Sequence, residues 1–174
     1  MTGQVIWITG LPGAGKTTFS CALIERLSVA GMKTIHLDGD ALRQVFSNQD
    51  YSQTGRLALA MQYAKLAGLL AGQGAHVVIS TVSMFHQIHQ WNRLNLPGYF
   101  EVFLNPPFAE LKRRNQKGLY HGIDAHNLEL ALGMAPEFPK EPDLKLDNTN
   151  LDEFKIGVET VTRHCLTVFG AAHD

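Results

Sequence analysis

Val5-Ile6-Trp7-Ile8-Thr9-Gly10-Leu11-Pro12-Gly13-Ala14-Gly15-Lys16-Thr17 is the stretch that decides the fold. Its first residues are apolar and β-branched, and the run is short and ends at a glycine, which predicts a buried strand. After the glycine-rich turn the pattern becomes helical, with Phe19, Leu23, Leu27 and Ala30 on one face and Gly31 placed to stop it. Gly10 to Thr17 matches G-x-x-x-x-G-K-[ST] at every fixed position, in the strand-then-helix setting that the motif requires. The glycines let successive N–H groups turn inward as an anion-binding nest, and the following helix adds its positive end. Gly10, Gly13, Ala14, Gly15, Lys16, Thr17 and Thr18 are therefore expected to cradle the phosphates of ATP, with Lys16 on the β- and γ-phosphates and the Thr17 hydroxyl on Mg²⁺.

Outward from the motif, strands and helices alternate. Strands are predicted at Thr34–Leu37, Ala75–Ser80, Tyr99–Leu104 and Leu144–Leu146. A short helix is expected over Ala41–Phe46, a long one over Thr54–Gln73, a looser one over Met84–Leu94, and one from Pro106-Pro107 to Asn115. The last helix starts at Asn150, with Glu153 completing its cap and Phe154, Val158, Val161 and Cys165 as its buried stripe. Between lies a segment, about 116–143, that glycines and prolines interrupt; it reads as a lid with one weak helical run at His126–Leu132. This order predicts an α/β, three-layer P-loop NTPase fold: a parallel sheet with helices on both faces, as one kinase domain over residues 1–174.

The formal net charge of −1 supplies no global field for nucleic acid, so a phosphate site must be built locally. Cys21 and Cys165 form no framework or metal cluster, and a reducing cytoplasm is the simplest setting. The start of the chain holds no stretch that reads as a signal peptide or membrane span. His86 and His89 are read as surface residues, because no cysteine or carboxylate completes a metal site around them, and Trp91 is read as a packing residue.

Asp38-Gly39-Asp40 closes the second strand, at the sheet edge where open parallel sheets bind ligands. Two carboxylates there can organise Mg²⁺ or accept a proton from an attacking hydroxyl; the plainer role for Asp40 is to cap the short helix. Arg43 and Arg56 flank the phosphate end; either alone reads as a solubilising surface arginine, and the two together read as an anion clamp.

With these pieces in place, the chain resembles the adenylylsulfate kinase (APS kinase) family, which uses ATP to phosphorylate the 3′-hydroxyl of adenosine 5′-phosphosulfate. The resemblance rests on Gly10 to Thr18, Leu37 to Arg43, Tyr51-Ser52 with Arg56, Ser80 to Phe85, Tyr99 to Phe103, Arg114-Asn115-Gln116-Lys117-Gly118-Leu119-Tyr120, and Glu141 to Leu144. It implies that Asp38 and Asp40 are the metal-organising and hydroxyl-activating pair, with Thr17 and Asp38 as the metal residues. Arg114 falls to the ATP side. Arg43 and Arg56 are implied as the clamp on the acceptor's phosphosulfate, and Ser83 as a serine near the transferring phosphate. Phe85, Gly118 and Leu119 are implied on the acceptor side, Lys117 as a lid lysine closing on the phosphates, and Tyr51 as a ring under the acceptor base. A homodimer is implied as well.

The departures fall on the acceptor side. Leu59 stands where the family has an asparagine, Met61-Gln62 where it has two arginines, and Asn115 where it has aspartate. The second base-covering aromatic falls near Ala131-Leu132. The expected partner is a small nucleotide-like acceptor. Adenosine 5′-phosphosulfate is the first reading, and a related nucleotide such as cytidine diphosphoramidate, whose smaller pyrimidine would not need the two-ring sandwich, is the alternative. An ATP-gated switch is the reading from another class, and the paired arginines oppose it.

Overall fold

The structure is a computed structural model, and it describes residues 2–114 and 118–171. Five strands form one sheet: β1 (Val5–Gly10), β2 (Thr34–Asp38), β3 (His76–Thr81), β4 (Phe100–Leu104) and β5 (Leu144–Leu146). All neighbours are parallel and the order is β2-β3-β1-β4-β5. β1 is central and buried along its whole length, which explains its unbroken apolar run.

Helices cross between the strands as the alternation predicted. They are α1 (Lys16–Val29), α2 (Gly39–Val45), α3 (Gln53–Gly72), α4 (His86–Asn95), α5 (Phe108–Arg114), α6 (Leu128–Leu132) and α7 (Leu151–Ala171). α1 packs on α7, with Phe19 and Phe154 edge to face at 5.7 Å, while α3 packs on α4. Phe19 is fully buried between sheet and α7, a burial that contributes about 2–3 kcal/mol.

The boundaries differ from the sequence reading where a cap decides them. α2 starts at Gly39 rather than Ala41, because the Asp38 side chain accepts from the N–H groups of Asp40 and Ala41. The N-cap thus falls on Asp38, not on Asp40. α4 begins two residues later than expected, where the Glu137 carboxylate accepts from the His86 N–H at 2.7 Å. α5 starts after both prolines, the Pro107 carbonyl accepting from the N–H groups of Glu110 and Leu111. The weak helical run divides into a 3-10 turn, Ala125–Asn127, and α6, which stops at Gly133. The α7 cap is as expected: Glu153 N–H donates to Asn150 Oδ1 at 2.8 Å, and the Glu153 carboxylate accepts from Asp147 N–H.

The parallel register puts all the carboxyl ends on one edge. Thr9 lies beside Thr81, Asp38 beside Ser80, and Gly10 beside Leu104. The phosphate loop, the Asp38–Asp40 turn and the Thr81–Ser83 segment therefore meet in space although they are far apart in the chain. Among the described residues no helix is long and apolar enough to cross a membrane.

Candidate active site

At this edge lies a cleft of about 910 Å³, lined by every described residue assigned above to ATP or acceptor except Gly10, Ala14 and Gly118. Its floor is the 10–17 loop. Gly13 and Gly15 have φ of 82° and 93°, which turns the intervening amides to one side. Gly10 serves differently: a Cβ there would stand 2.5 Å from the Leu104 carbonyl, so this glycine lets β1 close on β4. Lys16 Nζ donates to the carbonyls of Gly10 and Leu11, both at 3.0 Å. Burial pushes this ammonium down to about 8, against the opposing pull of Asp40 and Asp38.

The outward carbonyls of the loop are each held. Tyr120 Oη donates to Pro12 O at 2.7 Å, Arg114 Nη1 to Gly13 O at 3.1 Å, and Asn148 Nδ2 to Ala14 O at 2.7 Å. Arg114 therefore braces the loop as well as lining the cleft, and it also donates to Asn148 O and Glu110. Asn148 has φ 52°, a conformation that asparagine adopts more readily than most residues. The run Asp147 to Asn150 reads as a turn in sequence, but nothing there announces that Asn148 reaches the loop; neither Asn148 nor the Tyr120 contact was foreseen.

Asp38 sits at the centre of a hydrogen-bond set. Oδ2 accepts from Thr17 Oγ1 and Ser80 Oγ, each at 3.1 Å, while Oδ1 accepts the helix N–H groups. Burial opposes its charge, yet the bonds from Ala41, Thr17, Asp40 and Ser80 together hold the carboxyl below its ordinary value. The oxygen donors of Thr17 and Asp38, brought together at the loop, suit Mg²⁺, which takes hard ligands and few protein groups. Asp40 is exposed, in the first turn of α2, and its charge reaches Lys16.

Arg43, three residues after Asp40 on α2, and Arg56 on α3 lie over the Tyr51 ring, at 4.7 and 5.5 Å from its centroid. Arg43 Nη1 donates to Asn48 Oδ1, and Arg56 Nε donates to the Tyr51 carbonyl at 2.8 Å. Among the described residues neither makes an ion pair with a carboxylate, and burial, then Arg43, lowers the Arg56 pKa. Ser83 is buried with φ 20°, its hydroxyl 2.8 Å from Thr81 Oγ1. Phe85 is buried at the start of α4, and Leu119 is half-buried in the segment before α6. Leu59 is 1% exposed and lines the cleft beside Arg56, and Met134 completes the apolar part. Gly118 is exposed with φ 68°. Lys117 and Asn115 lie outside the described residues.

One histidine departs from expectation. His89 is buried, not on the surface; its Nε2 lies 3.2 Å from Ser83 O. Its apolar cover comes from packing of α4 on the sheet, which periodicity in that loose segment does not reveal. His86 is half-buried, with Nε2 3.0 Å from Phe138 O. Trp91 packs against the core as read.

A glycine-rich strand-to-helix loop, a half-buried lysine and the carboxylates of Asp38 and Asp40 on one sheet edge are the parts of an ATP-dependent phosphotransferase of the P-loop class. The family model described as adenylylsulphate kinase matches residues 2–147, and the chain belongs to that family. It is 38% identical over 160 residues to the cytidine diphosphoramidate kinase of Campylobacter jejuni, covering 91% of this chain and 94% of that one. It is also 38% identical over 148 residues to an adenylyl-sulfate kinase of Deinococcus deserti, covering 83% of this chain and 82% of that one. In three dimensions it is similar to the Mycobacterium tuberculosis APS kinase CysC in complex with AMPPNP and APS, with a TM-score of 0.79, 26% identity, and 94% and 97% of the two chains covered.

Proposed function

We propose that the protein transfers the γ-phosphoryl group of ATP to a ribose hydroxyl of a nucleotide anhydride, adenosine 5′-phosphosulfate first. The observation that carries this reading is what one cleft brings together: the phosphate loop, Asp40, and two guanidiniums that pair with no carboxylate among the described residues. The loop amides of residues 13–18 and Lys16 hold the triphosphate, Lys16 leaving the Gly10 and Leu11 carbonyls to do so. Arg43 and Arg56 bind the acceptor's anhydride, which sets the hydroxyl in line with the γ-phosphorus. Asp40 takes or steers the hydroxyl proton. Thr17 and Asp38 would hold Mg²⁺, which would supply charge neutralisation to the phosphates when bound. Lys117 closes from the lid in the same reading. Positioning does most of the work, since the loose transition state asks little of a base.

A second acceptor, cytidine diphosphoramidate, is favoured by a specific observation. The wall beside Arg56 is apolar, with buried Leu59 and Met134, and the relative of that name matches over nearly the whole chain. An assay of ADP release with ATP and Mg²⁺ separates the two. Turnover with adenosine 5′-phosphosulfate supports the first reading and a place in sulfate assimilation in the cytoplasm; turnover with cytidine diphosphoramidate alone supports the second. ATP hydrolysis that no acceptor accelerates would defeat both. The homodimer belongs to the same reading and is checked by light scattering.

A further inference from the structure

Tyr63 is a cleft residue to which the proposed chemistry gives no task. It lies on α3, and with Arg56, Leu59 and Ala60 it makes the i, i+3, i+4, i+7 face that this helix turns to the cleft. Its side chain is 3% exposed, and its ring leans on Phe46 with centroids 5.9 Å apart. The hydroxyl crosses to another element and donates to the Gly39 carbonyl at 3.1 Å. Gly39 is the middle residue of the Asp38-Gly39-Asp40 turn. Its other side is closed as well, because a Cβ there would stand 3.1 Å from the Ser80 carbonyl and from Thr81 Oγ1. The turn is thus wedged between the end of β3 and one phenol.

We propose that Tyr63 is a positioning residue that ties the acceptor-binding helix to the aspartate turn, fixing Asp40 relative to Arg56. The proposal rests on the role given to Asp40 above. α3 carries Arg56, α2 carries Asp40 together with Arg43, and the Tyr63 bond is a polar link between the two helices at the cleft. A small rotation of the α2 start would move Asp40 away from the acceptor hydroxyl, and reaction rate is steep in that distance. Burial pushes the phenol up to about 12, so it stays a donor at neutral and mildly alkaline pH.

Tyr63→Phe keeps the ring and its packing and removes only the oxygen. The expected result is a kcat lower by about fivefold or more with the KM for ATP unchanged within about twofold. If Tyr63 acts through Asp40, Tyr63→Phe placed on Asp40→Asn lowers kcat no further, the non-additive signature of two residues in one unit. Gly39→Ala disturbs the same turn from its β3 side and is expected to give the same split, a check that does not depend on how Tyr63→Phe folds. An unchanged kcat in Tyr63→Phe overturns the proposal. So does a loss that adds in full to that of Asp40→Asn, or an equal loss of ATP affinity. Wild-type turnover in Asp40→Asn would instead defeat the role of Asp40, and failure of the unaltered enzyme with every nucleotide anhydride would defeat the kinase reading.

Discussion

Lys16 is a cation held against its own burial, and this gives it a measurable pH dependence. In the free protein its pKa lies at about 8, lowered chiefly by desolvation. Triphosphate binding favours the charged form, so the bound pKa is higher and binding takes up a proton between the two values. ATP affinity is therefore expected to fall as pH rises through 8, and calorimetry in buffers of different ionisation enthalpy should show the proton uptake. Flat affinity from pH 7 to 9.5 would contradict it. Asp40→Asn tests the other end of the transfer: kcat should drop at least about tenfold while ATP binding is kept, since a base or orienting carboxylate acts only on the reacting hydroxyl. At this scale much was legible in the sequence. Lys16, Thr17, Asp38 and Asp40 are fixed by a motif and by their place after a strand. Tyr63 and Asn148 were not, because one donated hydrogen bond to a carbonyl far away in the chain has no local pattern. The capping role went to the wrong aspartate, since Asp38 and Asp40 are equally good caps by type and only the dihedral angles choose between them.

Between β4 and α4 two buried groups respond to pH in opposite senses. Glu101 is 3% exposed; burial pushes its carboxyl up to about 7, and the bonds and charges of Tyr99 and Arg93 oppose that. Its contribution to stability is full below its unfolded value near 4.5 and is lost as pH rises through 7. His89 is pushed down to about 4 by burial, so its contribution is full above 6.5 and is lost as pH falls through 4. Across the shared window the two slopes oppose each other, and stability of the unaltered protein is expected to vary little. Glu101→Gln should expose the histidine, with urea midpoints falling on acidification from pH 6.5 toward 4. His89→Gln should expose the carboxylate, with midpoints rising on acidification from pH 7 to 4.5. Parallel curves for all three proteins would overturn the assignment. The elements themselves were readable where period and length agree, as in β1, α3 and α7. Their ends were not, because α4 is started by Glu137 and α2 by Asp38, side chains whose service as caps depends on where tertiary structure places them.

Over the whole molecule, the phosphate loop is shaped by parts of the chain that share no sequence neighbourhood with it. Tyr120 comes from the segment before α6, Arg114 from the end of α5 and Asn148 from the loop between β5 and α7, and each occupies one outward carbonyl. An amide nest binds anions only while successive N–H groups point one way, and holding the opposite carbonyls keeps them so. Asn148 separates two contributions. Its φ of 52° is one that glycine also adopts freely and that alanine adopts only under strain. Asn148→Gly should keep the backbone and lose the bond to Ala14, weakening ATP by roughly the factor of five that corresponds to about 1 kcal/mol for one hydrogen bond. Asn148→Ala should lose the same bond and add strain, so its unliganded protein should melt lower than that of Asn148→Gly by about 1 kcal/mol or more. The thermal shift given by a fixed ATP concentration reads the first quantity and the unliganded melting curve reads the second. If both variants bind ATP as the unaltered protein does, the amide is packing alone and the loop keeps its shape by its glycines. If ATP weakens equally in both while only Asn148→Ala melts lower, the brace acts on the nest and the left-handed turn acts on the fold, two jobs in one side chain that becomes visible only once the sheet has brought residues 14 and 148 together.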